Sequence, residues 1–417
     1  MNPLTRSARK ITHTLFTALS LSSAGFIAMI TLIAIVGAKL MDHNGWAGIP
    51  NAIYLLGGAL SAYLWGYLMD VVGRRVGLTT GVLIGVLGAG MAVWAIQVNS
   101  WLLFLMGMVL VGAANSAVIL GRFVAAEVNP PQSRGRAISI VLLGGTVGAV
   151  FGPLLVSPTS QLGKTFGFEE FTGVFIVGAI LLLITATIVF ILLRPEPREL
   201  GRRISEIYSS DSGDIGIKRT FPQVLRQPAA AIAVSSMVMG QVVMVSLMTI
   251  VSLHMRGHQH GLGSISIVFA AHSVGMYAFS IISGRLTDRW GRGHVIAFGA
   301  GTLVLSCLIA SVSTEVVALS ISLFLLGLGW NFSFVGGSTL LADQLSPGER
   351  ARNQGSNDLL VGVVSALGSF GSGLVFSALG FESLARFSAL IALSLLIMVL
   401  IWMRRVSYNV LEAAACS

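Results

Sequence analysis

Twelve separate runs of roughly 20 largely apolar residues punctuate this chain, and no other feature restricts its fold so severely. A helix needs about that length to cross the hydrocarbon of a bilayer. In lipid its amides must bond within their own segment, so each run reads as a helix. The runs are 15–38, 48–69, 76–96, 101–126, 137–156 and 171–193, then 229–253, 262–283, 295–312, 316–342, 359–378 and 384–402. Of the 417 residues, 54 % are apolar and 10 % charged, against roughly 25 % charged in a soluble chain. Too little polar surface remains to cover a water-soluble globule. A soluble enzyme, a disordered scaffold and a nucleic-acid binder are excluded. Two cysteines, Cys307 and Cys416, make neither a disulfide framework nor a cysteine-ligated zinc site. The first run follows Arg6, Arg9 and Lys10 but is too long for a signal core, so it reads as a retained span.

Basic residues give the orientation. With the N-terminus in the cytoplasm, 22 of the 26 Lys and Arg fall in inside loops or tails, and Lys39, Lys164, Arg256 and Arg386 fall outside. That bias predicts both termini cytoplasmic in a cell (plasma or inner) membrane. The net charge of +9 is therefore an orientation signal. The long polar connection 194–228 separates an N-terminal bundle, 1–193, from a C-terminal bundle, 229–417, and reads as a surface-lying amphipathic segment or a flexible tether.

The halves repeat. Gly66-Tyr-Leu-Met-Asp70-Val-Val-Gly73-Arg74-Arg75 follows span 2, and Gly284-Arg-Leu-Thr-Asp288-Arg-Trp-Gly291-Arg292-Gly293 follows span 8. A shift of about 216 also pairs Asn115 with Asn331, Glu127 with Asp343, Pro131 with Pro347, Arg134 with Arg350 and Arg136 with Arg352. The fold class expected is an all-α polytopic membrane protein of twelve transmembrane helices in two pseudo-symmetric six-helix bundles. The Gly-x-Leu-x-Asp-x-x-Gly-Arg-Arg loop resembles the signature of the major facilitator superfamily, and the likeness extends over essentially the whole chain. In that family the two halves rock about a central site and open it to each side in turn.

Gly66 and Gly73, with Gly284 and Gly291 in the repeat, are expected to allow a tight turn between helix ends. Asp70 suits a basic partner or a helix N-terminus, and Arg74 has Glu127 within reach at the end of span 4. Asp288, Arg292 and Asp343 form the second trio. Each trio reads as a conformational latch, or alternatively as a solvated loop obeying the positive-inside rule. In span 5, Gly148-Ala-Val-Phe-Gly152-Pro153 resembles an element of the superfamily's proton-driven exporters, and reads equally as a small-residue packing face. The family's further glycine pair is replaced here by Leu154 to Ser157, and its span-4 arginine by Met108.

All seventeen acidic residues lie in loops or near span ends. His272, halfway along span 8, is thus the proton-carrier candidate, with a structural histidine as the other reading. The resemblance implies that spans 1, 4, 7 and 10 line the cavity, which makes Asn115, Gln241, Trp330 and Asn331 candidates for substrate contact; bonding between helices is the alternative. His254, His258 and His260 form either a polar cap or a soft-metal site on one loop.

The reading is a secondary active transporter exporting a small organic compound in exchange for protons, monomeric in the bilayer, with no cofactor, no metal and no nucleic-acid partner. It is not an enzyme, since no catalytic constellation and no Walker-type phosphate loop occur. The alternatives are a facilitator or symporter for a sugar, organic acid or metal chelate, and a non-transporting membrane sensor with the same fold.

Overall fold

The computed structural model describes residues 3–130, 133–208 and 219–415. Pro131 and Cys416 fall outside it, as do the side chains of Pro347, Arg350 and Arg352. Among the described residues, eleven helices are long and apolar enough to cross a membrane. Span 1 is Pro3–Met41, span 2 Ile49–Val72, span 3 Arg74–Gln97, and span 4 Trp101–Ile119 continued as Gly121–Glu127. Span 5 is Arg134–Leu154 continued as Val156–Thr165, and span 6 is Thr172–Leu192. Span 7 is Pro228–Gly257, span 8 Leu262–Tyr277 and then Ser280–Trp290, span 9 Arg292–Ala310, and span 10 Val316–Asp343.

The last helix, Pro347–Ala415, has 69 residues and a non-helical Gly380 (φ 78°, ψ 174°) inside it. A straight rod of that length would be roughly 100 Å long, more than three times the hydrocarbon thickness. Gly380 reverses it, making span 11 (347–379) and span 12 (381–415), so the chain crosses twelve times.

Span 1 begins well before the apolar run does. The charged turns carrying Arg6, Arg9 and Lys10 stay helical because Ala8 and Ile11 bury on one face. Span 5 likewise outlasts its apolar run by one further helical segment. Pro153 removes an amide donor without stopping the chain, and the helix restarts at Val156.

Two compact units emerge: Met1–Ser212 with Gln259–Ala270, and Gly213–His258 with Ala271–Ser417. In the first unit, small residues let backbones touch. A Cβ on Gly148 would stand 2.7 Å from the Ala24 amide, and one on Gly152 would stand 2.8 Å from the Ala24 carbonyl. These two glycines share one face of span 5, which seats directly on span 1. Between spans 4 and 6, Phe104 and Phe175 meet edge to face at 5.8 Å. The second unit has its own buried core of Ile232, Met237, Ile296, Ala300, Leu341 and Leu395, from spans 7, 9, 10 and 12.

The connection between the bundles is not a bare tether. Pro197–Tyr208 is a helix that buries Leu200 and Ile204 and leaves Arg202 and Arg203 exposed. Phe221–Leu225 is a second, short helix, whose Val224 is fully buried in the core of the second unit. The spacing of Leu200 and Ile204, four residues apart, gives one apolar stripe on an otherwise charged helix.

Candidate functional site

The chemistry concentrates where span 2 passes into span 3. Gly73 takes φ 94° and ψ 161°, a conformation that L side chains rarely adopt, and it turns the chain in one residue. Arg74 opens span 3 there. Its Nη1 donates to Asp70 Oδ1 at 2.6 Å, and its Nε donates to Glu127 Oε2 at 2.9 Å. Nη2 reaches Glu127 Oε1 at 3.5 Å, so the fork of the guanidinium spans both carboxylate oxygens. One side chain thereby ties the end of span 2, the start of span 3 and the end of span 4.

A third carboxylate completes this cluster. Glu196 Oε1 accepts from the Arg74 backbone amide at 2.6 Å and from the Arg75 amide at 3.4 Å. It caps span 3 with a negative charge, where free amides and the helix dipole favour one. The turn is shaped to receive it, since a Cβ on Gly73 would stand 3.0 Å from Glu196 Oε1. The following helix leaves no spare room either: a Cβ on Gly201 would come within 2.5 Å of Glu127 Cγ. Glu196 does not stand out in the sequence as a site residue. Its signal was an acid flanked by Pro195 and Pro197 directly after span 6.

The repeat builds the same turn more loosely. Gly291 has φ 88° and ψ 153°. Arg292 Nε donates to Asp343 Oδ2 at 2.8 Å, while Asp288 Oδ1 is 3.7 Å from Nη1. Arg292 Nη1 instead reaches the Thr287 carbonyl at 3.3 Å. No side chain caps span 9 among the described residues. Arg292 is 31 % exposed, against 19 % for Arg74.

Gly66 and Gly284 do not make the turns. Both lie inside helices, with open space where a Cβ would stand, so only the second glycine of each motif is needed for the backbone.

The other candidates separate into tied and free groups. Trp330 Nε1 donates to Gln241 Oε1 at 2.6 Å, joining spans 7 and 10, and the indole stacks on Phe334 at 5.0 Å. Both residues keep part of their surface open. Asn331 is buried and wholly occupied by span 8: its Nδ2 donates to the Met276 carbonyl at 2.6 Å and to Ser280 Oγ at 2.9 Å. Asn115, its repeat mate, is half-buried and has no side-chain bond among the described residues. His272 is buried, and its Nδ1 lies 3.0 Å from the Leu323 carbonyl, an acceptor, so that nitrogen carries the proton. Gly148 and Gly152 face span 1, as described above, and Pro153 is buried beside them.

His254 is not on a loop but buried in the last turn of span 7, where it stacks on Phe381 at 4.2 Å, and His258 Nδ1, just past the helix, lies 3.0 Å from the His254 carbonyl. No three His, Cys, Asp or Glu among the described residues gather in a metal-binding arrangement. Far from the Arg74 cluster, in the last turn of span 1, Lys39 bonds Glu169 at 2.8 Å. That hydrogen bond holds the Glu169 carboxyl below its ordinary value.

Twelve crossings, two repeated bundles and an arginine-centred ion cluster at the same junction in each define a multi-pass membrane transporter. The family model of the Major Facilitator Superfamily matches residues 14–263 and 231–412, and the chain belongs to that superfamily. It is 33 % identical to the uncharacterized MFS-type transporter YdeG of Bacillus subtilis, over 91 % of this chain and 89 % of that one. It is 30 % identical to the riboflavin transporter RfnT of Brucella anthropi, over 85 % and 86 %. In fold it resembles the crystal structure of the nucleoside transporter NupG, with a TM-score of 0.72, 17 % identity, and coverage of 94 % of this chain and 98 % of that one. The chain is thus a carrier of small molecules and not an enzyme.

Proposed function

We propose that this transporter exports a small organic compound in exchange for protons, by alternating access, with both termini in the cytoplasm. The observation that carries the alternating-access reading is the pair of arginine clusters at repeat positions. Each ties the ends of three spans through ion pairs that water can still reach, and such pairs are strong enough to hold one state without preventing its release. The excess of basic residues in loops on one side supports the orientation, and the Gly148-to-Pro153 element supports export. His272 is the proposed proton carrier. Its Nδ1 is held by the Leu323 carbonyl, which leaves Nε2 as the atom that gains and loses the proton.

The substrate class follows from the open residues on spans 7 and 10. Trp330 and Phe334 offer an aromatic platform, and the Gln241 amide, its oxygen engaged by the indole, keeps its N–H groups for an acceptor. A flat, largely uncharged heteroaromatic compound with carbonyl edges fits that chemistry. The likeness to the riboflavin transporter RfnT makes riboflavin the first compound to try.

The deciding measurement uses inverted vesicles with an imposed pH gradient, screened with riboflavin and a panel of planar heteroaromatics. Accumulation that collapses with the gradient is expected. Movement down the substrate's own gradient, indifferent to pH, would replace the exchanger with a facilitator. His272→Ala should flatten the pH profile, and an unchanged profile would remove His272 from the coupling.

A further inference from the structure

Span 8 breaks between Tyr277 and Ser280, just past Gly275, whose bare Cα lets span 10 approach closely, while residues 276–282 themselves contain neither proline nor glycine. A glycine one turn earlier loosens the helix without fixing where it opens, and a side chain inserted into the ladder does fix it. That side chain is Asn331 of span 10. It donates to the Met276 carbonyl at 2.6 Å and to Ser280 Oγ at 2.9 Å, and it accepts from the Ser283 hydroxyl. The carboxamide is 2 % exposed, so every polar atom that it offers is spent on the break. The ladder is intact on either side: the Ala278 amide bonds the Val274 carbonyl at 2.9 Å, and the Ser283 amide bonds the Phe279 carbonyl at 2.8 Å.

The first half has no such device. Span 2 runs unbroken from Ile49 to Val72. The repeat mates of Ser280 and Ser283 are Ala62 and Trp65. Neither can serve an asparagine: alanine has no polar atom, and the Trp65 indole donates to the Ala113 carbonyl at 2.8 Å. The asparagine is present in both halves, and only the second half supplies hydroxyls to meet it.

We propose that Asn331 is the positioning residue of a hinge in span 8. The role rests on the alternating-access reading above but is measured without transport. In the bent form Asn331 holds the Met276 carbonyl. In a straighter form that carbonyl returns to the amides of its own helix, and the three bonds to Asn331 are given up together. The three bonds to Asn331 fit only around the opened turn and are made or lost together, which makes the element two-state rather than merely soft. The segment that bears Asp288 then changes direction against Leu262–Tyr277.

The test places spin labels at Ile267→Cys and Ile281→Cys, both exposed positions, in the full chain in lipid nanodiscs with Cys307→Ala and Cys416→Ser. A straight helix separates these Cα atoms by about 21 Å, and bending shortens the distance. Asn331→Leu is expected to move the ratio of bent to straight populations by about twenty- to thirtyfold, since three interhelical bonds are lost and each in lipid shifts such a ratio about threefold. Ser283→Ala keeps Asn331 and removes one donor, so it should shift the ratio the same way by about threefold, and it decides the matter if Asn331→Leu does not fold. Identical distance distributions in the native chain and Ser283→Ala would overturn the hinge. So would a lower unfolding temperature for Asn331→Leu with its distances unchanged, which is the signature of a plain structural pin.

Discussion

The two arginine clusters share a motif and differ in how tightly they are built. Arg74 sits among Asp70, Glu127 and the capping Glu196, whereas Arg292 makes one close ion pair, one long one and a carbonyl contact. The backbones are nearly superposable at the turns, with Gly73 at φ 94° and Gly291 at φ 88°. Repetition has therefore preserved the turn while the polar shell diverged. Each unit needs the one-residue reversal; in the first the linker acid Glu196 closes it, and among the described residues no linker acid does so in the second. A motif match locates such a cluster without reporting its strength, because strength depends on what else the fold delivers there.

Matched substitutions test that ranking. Arg74→Ala strands Glu127 and Asp70 together, and like charges left unpaired should open the junction. Losing charge-assisted bonds of about 2 kcal/mol shifts a two-state ratio roughly thirtyfold, so transport into vesicles should fall to background while membrane insertion persists. Arg292→Ala should reduce transport less, by about tenfold, since its pairs are more exposed. Equal losses would erase the distinction between the clusters.

Gly73→Ala and Gly291→Ala isolate the linker acid. Both force alanine into a positive φ, at roughly 1–2 kcal/mol. At Gly73 the new methyl also meets Glu196, while at Gly291 the nearest atom is 3.8 Å away. Thermal unfolding should therefore fall further for Gly73→Ala, and Gly66→Ala should leave it unchanged. Glu196→Gln keeps an acceptor but loses the charge at the helix start, worth about 0.5–1 kcal/mol. In a Glu196→Ala chain, where that side chain is gone, Gly73→Ala should cost only what Gly291→Ala costs, and an excess that persists would show that the Glu196 contact is not its source.

The smallest effect is expected far from both clusters. Because Lys39 lowers the Glu169 carboxyl, their bridge is fully present above the ordinary glutamate range and is lost as pH falls through the lowered value. Lys39→Met should lower the unfolding temperature slightly at neutral pH, and the difference from the native chain should vanish once pH has fallen below the lowered Glu169 value.

Much of this was legible in the sequence because it depends on local pattern. Twelve apolar runs, the repeat, and the reach from Arg74 to Glu127 follow from hydropathy and spacing. What stayed hidden depends on tertiary delivery. Glu196 lies 122 residues from the amide that it caps, and nothing near it in the chain announces that destination. Asn331 reads as a pathway amide until the serines of span 8 are seen around it. Gly66 belongs to the motif, yet it sits in open space, so its presence says nothing about the turn. The amphipathic stripe of Leu200 and Ile204 was readable, but the surface that it seats on was not.

Gly380 has a consequence for how the last two crossings travel. A connector of a single residue holds the facing ends of spans 11 and 12 within two Cα steps, about 7 Å. That leaves no slack for one to slide past the other at that end. Whatever displacement the carrier cycle imposes, this pair must undertake it as a hairpin. An epitope or protease site inserted between them should be far less tolerated than one placed in the polar stretch joining the bundles.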